Sequence, residues 1–224
     1  WVWARNWQRG NRAFTLMIKI GIIGDIGSGK SYIANIFGYP VFNADKEVSI
    51  LYKKNKTVFN KLRKILPKYF NKFPIDKNNV VKAILDKNQN LGKIIKIIHI
   101  EIRKKLILFL KKNKNKKFVI LDIPLLLENK INKSGDILIF VKSNKINVMK
   151  RLKKRKNYNQ KLFKKFQNIQ LPLDYKKKKS QFVIKNNFTK RTVLIYVKNI
   201  LTILKNERSS TRYWNNRFIC KRWT

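Results

Sequence analysis

The chain has 224 residues, 44% of them hydrophobic, enough for one α/β domain with a helical insert. It has no run of 18 or more apolar residues, which excludes a membrane-spanning helix, and its single cysteine, Cys220, excludes an intrachain disulfide. The formal charge of +43 raises nucleic-acid binding as a rival reading, but the lysines are spread among asparagines and isoleucines instead of clustering, the pattern of an AT-rich coding bias.

The two ends do not match the middle. Trp1, Trp3, Trp7, Trp214, Trp223 and Cys220 all lie outside the central segment, and the ends are rich in Arg where the middle is rich in Lys. Met17 directly precedes an apolar run. Residues 1–16 are therefore expected to be a non-native or read-through extension, 208–224 a non-native tail, and 17–207 the working domain. That domain keeps 46 Lys and Arg against 11 Asp and Glu, a net +35. Residues 1–16 lack the apolar centre of a secretory signal, and a cytoplasmic location is expected.

Residues 18–23 form a short apolar run that ends in a Gly-rich turn, the pattern of a buried strand. A helix is predicted over 30–37, a short strand at 41–42 and a helix over 45–52. Residues 57–112 read as several helical pieces broken at Pro67 and Pro74. Strands are predicted at 118–123, ended by Pro124, and at 136–141. Helices over 144–155 and 159–169, a strand at 182–184 and an amphipathic helix over 189–205 complete the chain. Strands alternating with helices predict a parallel sheet covered on both faces.

Gly24-Asp25-Ile26-Gly27-Ser28-Gly29-Lys30-Ser31 fits G-x-x-x-x-G-K-[ST] between a predicted strand and a predicted helix, the context that a phosphate-binding P-loop requires. Its glycines let backbone N–H groups wrap a phosphate, and the following helix N-terminus adds partial positive charge. Lys30 can reach the β- and γ-phosphates of a nucleoside triphosphate, and the Ser31 hydroxyl can ligate Mg²⁺. The loop specifies a nucleoside triphosphate as donor and leaves the acceptor open.

Four further segments bear on the acceptor. They are Val41-Phe42-Asn43-Ala44-Asp45; His99-Ile100-Glu101-Ile102-Arg103; Asp122-Ile123-Pro124-Leu125-Leu126-Leu127-Glu128; and a stretch that begins Lys150-Arg151-Leu152-Lys153-Lys154-Arg155, passes Gln170 and ends at Phe182-Val183-Ile184-Lys185-Asn186. In order and spacing these resemble the D-A-D, H-P-x-I-R, D-x-P-L-L-F-E, lid and V-I-D-N segments of the dephospho-CoA kinases, over about residues 17–205. The resemblance implies a three-layer α/β P-loop NTPase fold with a helical acceptor-binding region at about 55–112 and a lid at about 145–178. It implies that ATP phosphorylates the ribose 3′-hydroxyl of dephospho-CoA, the last step of coenzyme A biosynthesis. A monomer or small homo-oligomer is expected, with no specific nucleic-acid partner and no membrane partner.

The resemblance also distributes roles. Asp45 is the candidate base, since a carboxylate there can orient the acceptor hydroxyl and take its proton; the alternative is a helix N-cap. Lys30 and Arg155 are candidates for neutralising the transferring phosphoryl group, and Arg155 suits phosphate because its planar fork binds two oxygens at once. Ser31 and Asp122 are the candidate Mg²⁺ ligands. His99, Arg103, Pro124 and Leu125 are candidate acceptor contacts. His99 would otherwise be a satisfied core residue and Arg103 a solvated charge. For Glu128, a structural hydrogen bond and a substrate contact stay open. Asn43, Ile100, Ser180-Gln181 and Lys185 depart from the family pattern, which puts fine substrate contacts in question and suggests a shifted helix start near residue 100. Another small-acceptor P-loop kinase, of nucleotide or shikimate type, remains the main rival. A basic nucleic-acid-binding protein is the second.

Overall fold

The computed structural model describes residues 17–155 and 158–206. The expected extensions, 1–16 and 208–224, lie outside the described residues, as do Lys156, Asn157 and Glu207. Among the described residues, β1 (Ile18–Gly24), β2 (Val41–Asn43), β3 (Phe118–Asp122), β4 (Ile137–Ser143) and β5 (Phe182–Asn186) form one sheet in the order β2-β3-β1-β4-β5. Every pairing is parallel; Ile20 of β1, for example, lies opposite both Ile120 and Ile137.

Successive side chains of a strand point to opposite faces, and here both faces are packed. Ile18, Ile20 and Ile22 of β1 enter one core, whereas Ile23 enters the other. In β4, Ile137, Ile139 and Val141 divide in the same way from Leu138 and Phe140. Double-sided burial explains why these strands read as unbroken apolar runs.

Two helices close the first face. They are α1 (Lys30–Ile36), through Ile33 and Ala34, and α9 (Lys190–Asn206), through Val193, Val197, Ile200 and Leu204. The second face carries α2 (Ala44–Lys54), α3 (Lys56–Ile65), α4 (Lys77–Asp86) and α5 (Asn88–Lys112). In α5 the buried residues Leu91, Ile94, Ile98, Ile102 and Leu106 recur every three or four positions, one stripe of a 3.6-residue helix. Full burial of such a side chain stabilises the fold by roughly 1.5–3 kcal/mol. Between β4 and β5 lie α6 (Lys145–Lys153), α7 (Gln160–Asn168) and α8 (Leu173–Lys179).

Three details differ from the sequence-based expectation. The helix around His99 does not restart near residue 100: with Ile100 in place of a proline, α5 runs unbroken from Asn88 to Lys112. Asn43, not Asp45, caps α2, accepting a hydrogen bond from the Lys46 N–H at 2.8 Å. The third is α8, which the run of four lysines hid. Its start is marked by Pro172 at the cap position and Asp174 in the first turn.

Within α8, Lys176 is not a solvated lysine. Its ammonium is 2.6 Å from the Glu128 carboxylate, and the two side chains retain only 2% and 10% of their exposure. The same Glu128 carboxylate accepts a hydrogen bond from the Leu171 N–H at 3.0 Å. Glu128 thus fastens the segment after β3 to the entry of α8, which answers the open question about this residue with a structural role. A buried ion pair that loses one partner leaves an uncompensated charge, at a cost of about 3–5 kcal/mol. Lys176→Ala is therefore expected to lower stability by that amount in urea unfolding, while a loss near that of an exposed pair, under about 1 kcal/mol, would show that the pair is solvated.

Candidate active site

The carboxyl ends of parallel strands are where ligands bind in open α/β sheets. Here the β1–α1 loop, residues 24–29, is held rigidly from behind. The Ser28 carbonyl accepts hydrogen bonds from the Ser143 hydroxyl at the end of β4 (3.0 Å) and from the Asn186 side-chain amide at the end of β5 (2.8 Å). Asn186 is itself fixed, its Oδ1 accepting from the Phe188 N–H at 2.9 Å. Gly29 has φ 93°, and a Cβ there would lie 2.5 Å from the Asn186 amide nitrogen. Only glycine permits both this left-handed conformation and this approach. Neither Ser143 nor Asn186 stood out as a loop anchor in the sequence, because a polar residue at a strand end carries no pattern of its own.

Lys30 bends back into this loop. Its ammonium donates to the Asp25 carbonyl at 2.6 Å and to the Gly24 carbonyl at 3.3 Å. Burial lowers its pKa from 10.5 to about 8, with the neighbouring Lys176 adding to the drop and the Asp122 carboxylate opposing it.

Asp122, at the end of β3, is 3% exposed. It accepts hydrogen bonds from the Asn43 side-chain amide (2.5 Å) and from the Ser31 side chain. Burial raises its pKa, and those two hydrogen bonds and Lys30 counteract the rise. Asn43 therefore serves two carboxylates at once. Its amide NH₂ holds Asp122, and its oxygen caps the helix whose second residue is Asp45. Asp45 keeps solvent access along the cleft. The protein around it still raises its pKa, first through lost hydration and then through the Asp122 charge, with Lys30 opposing.

One cavity of about 640 Å³ collects most of the candidates: Ile26, Gly27, Gly29, Lys30, Ser31, Asp45, His99, Asp122, Pro124, Leu125 and Arg155 all line it. Gly24, Asp25 and Ser28 belong to the loop without lining the cavity, and Asp25 Oδ1 accepts from the Ile26 N–H at 2.7 Å. His99 is partly buried. Burial and Arg103 lower its pKa, and its Nε2 lies 3.4 Å from the Asn129 side-chain nitrogen. Arg103 is the exception: it is exposed, lies outside the cavity and donates to the Asn129 carbonyl at 3.1 Å. Of the rest of the lining, Arg151 belongs to the segment that resembles the family's lid, whereas the pattern of residue types did not mark the apolar residues. Arg151 stacks over the Phe188 ring at 4.5 Å, and Leu162, Phe163 and Phe166 of α7 supply an apolar wall facing α4 and α5.

A phosphate loop on the first strand of a parallel sheet, with one carboxylate beside its serine and a second near the first on the same cavity, defines a P-loop kinase acting on a small acceptor. The comparisons resolve which kind. The dephospho-CoA kinase family model matches residues 18–191, and the chain belongs to that family. It is 34% identical over 190 residues to a dephospho-CoA kinase of Wolbachia sp. subsp. Brugia malayi, covering 83% of this chain and 97% of that one. It is 32% identical over 195 residues to one of Rickettsia typhi, covering 85% and 97%. Among solved structures, a Thermus thermophilus protein matches with TM-score 0.69 at 25% identity, over 84% of this chain and 98% of that one. Dephospho-CoA kinase from Campylobacter jejuni matches in fold with TM-score 0.57 at 20% identity, over 84% and 97%.

The state of Lys30 yields a pH dependence. Below about pH 8 Lys30 is charged in the free protein, as an expected triphosphate contact should be; above it, that charge is lost before binding. Phosphate charge raises the lysine pKa in the complex, so binding takes up a proton on the alkaline side. The Kd for ATP should be flat below pH 8 and rise by up to about tenfold per pH unit above it, with a calorimetric heat that depends on the buffer. A Kd that stays flat well beyond pH 8 would contradict this state of Lys30.

Proposed function

We propose that this chain transfers the γ-phosphoryl group of ATP to the ribose 3′-hydroxyl of dephospho-CoA, giving coenzyme A and ADP. The observation that carries this reading is the shared cavity. Lys30 and Ser31 line it with Asp45, and His99 and the Pro124–Leu125 segment line it as well. In the proposed mechanism Lys30 leaves the Gly24 and Asp25 carbonyls for the β- and γ-phosphates, a move that its long flexible stem permits. Asp45 accepts the proton of the 3′-hydroxyl, the oxygen attacks the γ-phosphorus in line, and the bond to the bridging β–γ oxygen breaks. Arg155 neutralises charge on the transferring group. Helices α3 to α5, within about 55–112, shape the acceptor side, and residues 145–178 act as a lid whose closure excludes water.

Ser31 and Asp122 fit a divalent cation. Two oxygens already in mutual contact present a hard donor set, and the charge on a buried carboxylate is the kind a cation stabilises. Among the described residues no group of three or more His, Cys, Asp or Glu could hold a metal, so the remaining positions on Mg²⁺ would fall to phosphate and water, as is usual for this ion. Bound there, Mg²⁺ would neutralise charge on the β- and γ-phosphates.

An ATP-consumption assay across dephospho-CoA, nucleoside monophosphates and shikimate tests the acceptor. Turnover is expected with dephospho-CoA, and a preference for either alternative would displace the reading. Asp45→Asn should lower kcat by about 10²–10⁴-fold while the Kd for ATP changes little. The wild-type acid limb of kcat/KM should lie above the ordinary aspartate pKa, since in the free protein the base must lose a proton that its site holds more tightly. Near-normal turnover of the variant would remove Asp45 from the mechanism.

A further inference from the structure

Among the described residues two buried side-chain oxygens have no hydrogen-bond partner: Ser28 Oγ, inside the phosphate loop, and the hydroxyl of Tyr158. Tyr158 plays no part in the mechanism above, yet it lines the same cavity. A buried hydroxyl without a partner is costly, of order 1–3 kcal/mol, so such groups in cavities point to something that binds there.

The surroundings of Tyr158 say which ligand. Its ring packs against Phe163 with centroids 6.3 Å apart, and Leu162 and Phe166 of the same helix pack onto the core formed with α2 to α5. That helix is also tied to the acceptor side by Lys165, which donates to the Ile84 carbonyl and to Asn88 Oδ1, both at 2.8 Å. Tyr158 is tied to Arg155 only through the backbone, its N–H donating to the Arg155 carbonyl at 3.0 Å. The phenol thus stands with the wall built onto the acceptor helices. That wall is apolar, with Val80, Ile84 and Ile95 facing the cavity. Dephospho-CoA carries a long arm of methyl groups, amides and a hydroxyl. Such an arm needs apolar walls interrupted by a few polar contacts.

We propose that the Tyr158 hydroxyl, closed off in the free protein, is a specificity-determining contact for dephospho-CoA, turning to hydrogen-bond a polar group of its arm when the acceptor enters the cleft. This rests on the acceptor reading above. The test is Tyr158→Phe, which removes one oxygen and keeps the ring. The Kd for dephospho-CoA, measured by calorimetry without turnover, and its KM should both rise about fivefold to tenfold, with the KM for ATP unmoved. The loss should fall on the acceptor KM more than on kcat. Because the hydroxyl has no partner in the free protein, the melting temperature should stay level or rise. An unchanged acceptor Kd, an equal rise in the KM for ATP, or a lowered melting temperature would each overturn the proposal, the last by giving the oxygen a structural partner. Wild-type protein that binds no dephospho-CoA would sink the acceptor reading as well; wild-type binding matched by the variant would sink the Tyr158 contact alone.

Discussion

The site depends on one buried carboxylate. Asp122 closes β3, and its two side-chain hydrogen bonds reach the serine of the phosphate loop and Asn43 at the end of β2. Three strand ends are thereby fixed relative to one another: β1 through the loop and α1, β3 directly, and β2 through the cap of the helix that carries Asp45. Burying a charge is expensive unless it is paired and hydrogen-bonded. Asp122 meets that condition with two neutral donors and the nearby Lys30, and its pKa still rises. The residual cost is what a bound cation would relieve, so the structural pin and the proposed metal ligand are one group.

The phosphate loop shows the same economy. Its backbone is held by Ser143 and Asn186, and its lysine satisfies itself on the loop's own carbonyls. In the proposed mechanism the loop backbone is already ordered when a triphosphate arrives, and the Lys30 side chain swings. Preorganisation of this kind spends conformational entropy during folding instead of during binding. The energy comes from the two-sided sheet, where each face buries its own apolar set. The opposite wall is built differently. Its groups sit on helices packed by apolar stripes, and the Glu128–Lys176 pair joins the segment after β3 to α8.

Much of this was legible in the sequence, for identifiable reasons. The strands showed as apolar runs because both faces are covered. The phosphate loop showed because its glycines and lysine are required by backbone geometry and charge. Asp45 and Asp122 showed through the resemblance of their segments, and both line the same cavity. Asn43 counted in the sequence as a departure, yet an amide can do there what a carboxylate cannot, donating to Asp122 while still accepting from the helix N–H. Arg103 entered as an acceptor contact through the resemblance, one turn from His99, but helical spacing does not say which side of a stripe faces the cleft. Lys176 was invisible among its neighbours, since burial depends on the partner Glu128, 48 positions earlier in the chain. Tyr158 and the α7 wall carried no signal, because contact across the cleft exists only in three dimensions.

The central claim is that one rigid frame aims a triphosphate held by Lys30 at an acceptor hydroxyl held by Asp45. A crystal structure with dephospho-CoA, Mg²⁺ and a non-hydrolysable ATP analogue tests it most directly. The account predicts the Lys30 ammonium on the β- and γ-phosphates and away from the Gly24 and Asp25 carbonyls. It also predicts an Asp45 carboxylate oxygen within hydrogen-bond distance of the ribose 3′-hydroxyl, about 2.6–3.2 Å. A complex in which Lys30 stays on its own loop, or in which the 3′-hydroxyl turns away from Asp45 towards another group, would contradict it.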